Sequence, residues 1–297
     1  MEIVVAESPA HAFGQKLGEF LELLAEHLLM SIATKHGLYL DKKGARPARG
    51  NLKKATWTDK YGSKHDLDYV LERGGSSTKL GDPVAFIEVA WRKGTRHSKN
   101  KVQEIQGAIL PLVETHDRHA PFAGVILAGD FTAPSIQQLK NLKFKVLYFP
   151  TALAARAFHK VGLDIASNDK TADSEYTAKL LTYNALKPDE RLQVIEEMLA
   201  LNMEEVEGFI QALEQSLTRQ ITLVRILPLH GVTFALTSVV EAIDFVENYS
   251  VSGINNPVLR FEVEIRYGNG DNIQATLSEK EDVLAFLQTH LPVKPPS

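Results

Sequence analysis

Cysteine does not occur among the 297 residues. Its absence removes disulfides, thiolate zinc sites and a cysteine nucleophile, so any metal must be held by carboxylates, histidines, carbonyls or water. It also fits a reducing cytoplasm. Equally missing is an apolar run of the ~18–20 residues that a membrane span needs. The opening MEIVVAESPAHAFGQK has no basic stretch ahead of an apolar one, which argues against a secretory leader. What is present is ordinary globular composition, 44% hydrophobic and 24% charged. The chain is long enough to bury a full core and leave room for a second, smaller unit.

A net positive charge is lacking too: the formal value is −4. Taken alone that argues weakly against nucleic acid, but the charge is unevenly placed. Residues 42–64 carry Lys42, Lys43, Arg46, Arg49, Lys53, Lys54, Lys60 and Lys64 against the single acid Asp59. Residues 92–101 add Arg92, Lys93, Arg96, Lys99 and Lys101 with no acid, whereas 186–215 hold eight acids and two bases. A phosphate-binding face on a soluble protein requires such a separation, although solvated basic loops would also produce it.

Apolar spacing outlines the fold class. Leu17, Phe20, Leu21, Leu24, Leu28 and Ile32 mark a helix from about Phe13 to Lys35. A Gly/Pro/Arg/Lys-rich loop follows from about Asp41 to Gly50, then a hairpin of ATWTD, the turn KYGSK and the strand HDLDYVLE. VAFIEVAW, apolar on both faces, reads as an interior strand. A helix over 98–113, the strand FAGVILAG, a helix opened by Thr132-Ala-Pro-Ser and the strand FKVLYFP complete an α/β core over residues 1–150. Residues 151–219 are helical, with segments near 151–160, 174–186, 189–201 and 203–217. A small α+β unit over 220–297 follows: strand ITLVRIL, a helix near 234–248, a hairpin turning at Gly268-Asn269-Gly270-Asp271, and a last helix.

Two acids stand out in that order, Asp68 in HDLDYVLE and Glu88 in VAFIEVAWR. Burying a carboxylate among Val, Phe, Ile and Trp costs several kcal/mol unless it is paired or binds metal. Neighbouring strands lie ~4.8 Å apart, so two such acids can converge on one divalent cation, and hard oxygen ligands suit Mg²⁺ or Mn²⁺. Asp66 shares a strand face with Asp68 and competes with it for this role. Asp68 is preferred because Tyr69, Val70 and Leu71 follow it.

The order helix, hairpin, strand, helix, strand, with Asp68 and then Glu88, resembles the PD-(D/E)XK nuclease superfamily over about residues 13–150. The resemblance implies a restriction-endonuclease-like central mixed sheet flanked by helices, with the two acids holding the metal that activates water. Some members add a third carboxylate from the first helix, here Glu22. One position departs from the pattern. Where the superfamily has a lysine two residues after the second acid, this chain has Ala90. Arg92, Lys93, Lys99 and Lys101 are the available replacements, with Lys101 preferred over Arg92 because its helix should pack beside the acids.

These features together lead to the expectation of a Mg²⁺-dependent DNA endonuclease of restriction or phage-defence type. Lys53, Lys54, Lys60, Lys64, Arg96 and Lys99 would contact phosphates of double-stranded DNA. A homodimer is the expected assembly, since cutting both strands calls for two sites. The alternative is a nuclease-like scaffold that binds nucleic acid or a partner but has lost cleavage with the motif lysine.

Overall fold

The computed structural model describes residues 8–94, 98–168, 170–228, 232–249 and 260–291. The chain divides into two compact units, one of residues 1–115 and 121–214, the other of 116–120 and 215–297.

The first unit begins with α1 (Pro9–His36), whose length follows from good ends. Ser8 Oγ accepts the His11 N–H at 3.2 Å, Pro9 starts the helix, and Gly37 closes it in the left-handed region at φ 61°. One face of α1, including Leu17, Phe20, Leu21, Leu24 and Leu28, is buried. The elements that follow are β1 (Tyr39–Lys42), β2 (Ala55–Thr58), β3 (Lys64–Leu67), β4 (Tyr69–Arg73), β5 (Asp82–Arg92), α2 (Ser98–Thr115), β6 (Phe122–Gly129), α3 (Ala133–Asn141) and β7 (Lys145–Pro150). Four helices come next: α4 (Thr151–His159), α5 (Asp173–Ala185), α6 (Pro188–Leu201) and α7 (Met203–Leu217). Up to Glu214 this helical stretch belongs to the same unit as the sheet.

Five strands form a mixed sheet in the order β1-β4-β5-β6-β7. β1, β4 and β5 pair antiparallel, whereas β5, β6 and β7 run parallel. Val102, Ile105, Ile109 and Leu112 of α2 and Leu139 of α3 pack with Val70, Phe86, Ala90, Val125 and Val146 of the sheet. Elsewhere in the unit, Phe20 of α1 meets Phe158 of α4 with ring centroids 4.7 Å apart. The architecture is therefore α/β, a mixed sheet flanked by helices.

Two expectations fail within this unit. HDLDYVLE is not one strand: β3 pairs with β2 in a separate two-stranded sheet, β4 pairs with β1 and β5, and Asp68 alone lies between them. Nor does the loop begin at Asp41. That residue lies in β1 and is buried, a place its hydrogen-bonded arginine partners make tolerable.

Those partners come from the basic loop. Arg46 pairs with Asp41 at 3.0 Å and with both oxygens of Glu72, and donates to the carbonyls of Ser76 and Lys79. Arg49 pairs with Asp41 at 2.9 Å and donates to the carbonyls of Lys42, Gly44, Leu52 and Lys54. Planar, multiply donating guanidinium groups thus replace a hydrophobic core for a loop that has none.

The second unit contains β8 (Ile221–Pro228), β9 (Phe234–Leu236), α8 (Val239–Asn248), β10 (Phe261–Tyr267), β11 (Asn272–Leu277) and α9 (Lys280–Gln288). Its antiparallel sheet has the order β11-β10-β8-β9. Val224, Ile226, Val263 and Ile265 pack with Ala242 and Val246 of α8 and Val283, Phe286 and Leu287 of α9. The helix expected near 234–248 starts later, because Phe234–Leu236 pairs with β8 and Ser238 caps the helix at the Glu241 N–H.

Candidate metal centre and its cleft

β5 is longer than its neighbour. Tyr69 opposes Ile87, so β4 begins there while β5 runs on to Arg92. The same register, carried one step further, sets Asp68 opposite Glu88 on one sheet face. Two backbone bonds lock the pair: the Val89 N–H donates to Asp68 Oδ2 at 2.7 Å, and the Asp68 N–H donates to the Glu88 carboxylate. Each acid is thus oriented by main chain beside the other.

Glu88 shares a sheet face with Phe86 and Ala90 and so points toward α2, where only 5% of it is exposed. From the first turn of that helix Lys101 Nζ reaches to 3.7 Å from Glu88 Oε2, and it lies 3.5 Å from Glu104 Oε2. Ala90 leaves the sheet side of this space to a methyl group, and the lysine enters from the helix side. Burial, followed by the neighbouring Asp68, pushes the Glu88 carboxyl up to about 8. Burial likewise raises Asp68. Lys101, with Lys43 and Lys54 beside it, favours the charged form of Asp68, yet burial keeps both carboxyls raised.

Glu22 is drawn toward this group more weakly. Burial and then Asp68 raise its carboxyl, and Lys43 Nζ lies 3.9 Å from its Oε2. Among the described residues no group of three or more His, Asp or Glu side chains converges closely enough to hold a metal. The expected third ligand is thus near Asp68 without completing a cage. Two hard carboxylates with unmatched charge do fit Mg²⁺ or Mn²⁺, since Mg²⁺ ordinarily takes one or two protein carboxylates and completes its shell with water and substrate phosphate.

Asp68 and Lys101 line a cleft of about 710 Å³, and Glu88 lies buried behind its wall. Asp68, Val89, Ala90 and Lys101 lie at one end, and Arg92, Lys93, Asp130 and Thr151 at the other. That second end stands at the carboxyl ends of the parallel strands, where open α/β sheets place their ligands. Gly129 shapes it: at φ +94° a Cβ would lie 2.1 Å from the Arg92 carbonyl oxygen, so only glycine lets β6 come so close. Ile165, Ser167 and Tyr176 add to the lining, and the buried Lys179 holds this segment through the carbonyls of Asp164 and Ala166.

α1 completes the lining with Ala10, Gly14, Gly18 and Glu22, each four residues from the last. A Cβ on Gly14 or Gly18 would meet no atom within 4 Å. Glycine in a helix interior costs roughly 1 kcal/mol relative to alanine, and among the described residues no close packing at either position calls for glycine. The sequence reading passed over this stripe, although two glycines four apart within an otherwise periodic apolar helix were the visible signal.

The remaining predicted residues lie apart or are otherwise engaged. Arg92 lines the cleft, with Nη1 3.4 Å from the Trp91 carbonyl oxygen, and Lys93 contacts Tyr176 through its hydroxyl and its ring. Lys99 is exposed on the first turn of α2, and Arg96 falls outside the described residues. In the basic stretch Lys54 pairs with Asp66 at 2.9 Å and Lys60 with Glu114 at 2.8 Å. Lys53 and Lys64 are exposed. Asp66, the competing acid, is exposed and engaged by Lys54 and Thr56.

No family model matches the chain. No curated protein matches it. Among solved structures, the crystal structure of a protein of unknown function, AF1548, aligns with 67% of this chain and 97% of its own, at 8% identity and a TM-score of 0.29. A likeness so slight carries no argument about fold or activity.

Proposed function

We propose that the chain is a metal-dependent nuclease of the PD-(D/E)XK type, hydrolysing phosphodiester bonds in DNA with Mg²⁺ or Mn²⁺. The observation that carries this reading is the Asp68–Glu88 pair, each acid bonded to the other's backbone, with Lys101 Nζ 3.7 Å from Glu88. A salt bridge serving only stability would need one acid and one base. A second buried acid beside them adds repulsion that a divalent cation relieves.

Asp68 and Glu88 would hold the cation. When bound, such an ion lowers the pKa of water and offsets the charge that develops on a phosphoryl group. The chain's own groups do the rest. The Val89 and Asp68 N–H groups fix the two carboxylates before substrate arrives, so little reorganisation is needed at the moment of reaction. Lys101 supplies the cation of the absent motif lysine, placed by α2 to hold a water beside Glu88 and to oppose developing negative charge. Arg92, at the far end of the cleft, is placed to hold a neighbouring phosphate.

The test is cleavage of labelled DNA in Mg²⁺ and in Mn²⁺ by the wild type and by Asp68→Asn, Glu88→Gln and Lys101→Ala. Metal-dependent cleavage lost in both acid variants, whose fold is intact by circular dichroism, is the expected result. Cleavage that persists in Glu88→Gln would place the chemistry elsewhere.

A further inference from the structure

We propose that Glu104 is a positioning residue for the metal centre: it takes Lys101 over from Glu88 when a divalent cation binds, so that cation and lysine need not share one carboxylate. The inference rests on the metal-centre reading above and adds a residue to it.

Lys101 stands between two acids. Its Nζ lies 3.7 Å from Glu88 Oε2 and 3.5 Å from Glu104 Oε2. The two partners differ in kind. Glu88 is buried in the sheet, whereas the Glu104 side chain is 61% exposed and follows the lysine by one turn of α2. Lys101 thus spans the step from a buried carboxylate to an open one.

Those two places have different consequences for a cation held by Asp68 and Glu88. A divalent ion and an ammonium group on the same carboxylate repel each other at close range, and salt screens a buried site weakly. The lysine's charge reaches Asp68 as well. With no second acid, Lys101 would stay on Glu88 and oppose the incoming ion. Glu104 offers it another partner, reached by turning the torsions of a flexible four-carbon stem. An exposed ion pair contributes little to stability, so the exchange of partners is a small step. The lysine meanwhile stays beside the site, where its charge can oppose the negative charge of the reaction. Among the described residues no three acids or histidines converge to hold an ion, so Glu104 acts through the lysine and not as a ligand.

The experiment uses the full chain, stripped of metal, at low ionic strength, with Mn²⁺ as the probe and the free ion counted by electron paramagnetic resonance. Glu104→Gln keeps the size of an exposed side chain, so its Tm should match that of the wild type. It should weaken Mn²⁺ binding by about tenfold, because the lysine then stays on Glu88. In a Lys101→Met background the same substitution should change Mn²⁺ affinity by less than about twofold, since the group it serves is gone. Two results overturn the inference. Equal weakening in both backgrounds would make Glu104 a direct attractor of the ion, and no weakening in either would leave it a surface ion-pair partner. Glu88→Gln tells these failures from failure of the metal centre. Mn²⁺ binding lost in Glu88→Gln but unchanged in Glu104→Gln leaves the centre and removes the positioning role. Mn²⁺ that binds Glu88→Gln as it binds the wild type, or that binds neither, removes the centre and the role together.

Discussion

Replacing Glu88 with glutamine in the metal-free protein should stabilise the fold, and by an amount that depends on pH. The side chain keeps its size and its acceptor for the Asp68 N–H but loses a charge that burial disfavours. In the folded state Glu88 holds its proton up to about 8, against an ordinary value of 4.5. Between those values the folded protein binds a proton that the unfolded chain has released, so stability falls as pH rises through the window. Above it the full difference corresponds to roughly 5 kcal/mol, and structural relaxation around a half-buried Asp68 reduces that to an expected 2–3 kcal/mol. For a chain of this size such a gain moves Tm by about 3–5 °C. Thermal melts in EDTA at pH 5 and pH 9 are the assay. The Glu88→Gln advantage should be small at pH 5 and large at pH 9. Mn²⁺ at pH 8 should then raise the Tm of the wild type and leave that of the variant unchanged, because a ligand bound only by the folded state adds about 2.7 kcal/mol at a hundred times its Kd. An advantage equal at both pH values, or none, would refute the idea that Glu88 is an under-compensated buried acid.

Lys101→Ala should slow single-turnover cleavage by about 10²-fold or more while leaving DNA affinity within twofold, as expected when a preorganised electrostatic group is lost; Arg92→Ala should instead weaken binding, and titrations at saturating enzyme distinguish the two. Gly14→Ala and Gly18→Ala should each raise stability by about 1 kcal/mol in denaturant melts, and an unchanged midpoint would mean the glycines answer to some strain in α1. Neutralising Lys53 and Lys64 together should flatten the salt dependence of DNA binding by roughly one unit per lost contact, more than neutralising the paired Lys54 and Lys60. Glu72→Ala should destabilise by about 3–5 kcal/mol, since it strips Arg46 of a buried partner; a cost below 1 kcal/mol would show the loop holds without it.

The core strands and helices were legible because each carries its own period. VAFIEVAW buries both faces and gave itself away, as did the apolar face of α1. Asp68 and Glu88 could be singled out because a carboxylate inside such a run must have a reason. The break at Asp68 could not be seen: HDLDYVLE alternates well enough for one strand, and only pairing with two different partners, β2 and β5, divides it. Charge misled in another way. Counting bases in 42–64 cannot tell a phosphate contact from Arg46 or Arg49, whose partners Asp41 and Glu72 come from strands on either side of the loop. The role of Ala10, Gly14 and Gly18 also needed the structure, because what they supply is an absence of atoms at one wall of a cleft.

The single residue between β3 and β4 makes one carboxylate depend on two independent pairings. The five-stranded sheet fixes the strand that follows Asp68, and the β2–β3 hairpin fixes the strand that precedes it. Transplanting the sheet and α2 alone into another scaffold would carry Glu88 and Lys101 but leave Asp68 on a frayed chain end. A one-residue slip in either pairing would turn the chain about Asp68 and break its bond to Val89. The hairpin, which holds neither Asp68 nor Glu88, is therefore part of the minimal transferable module.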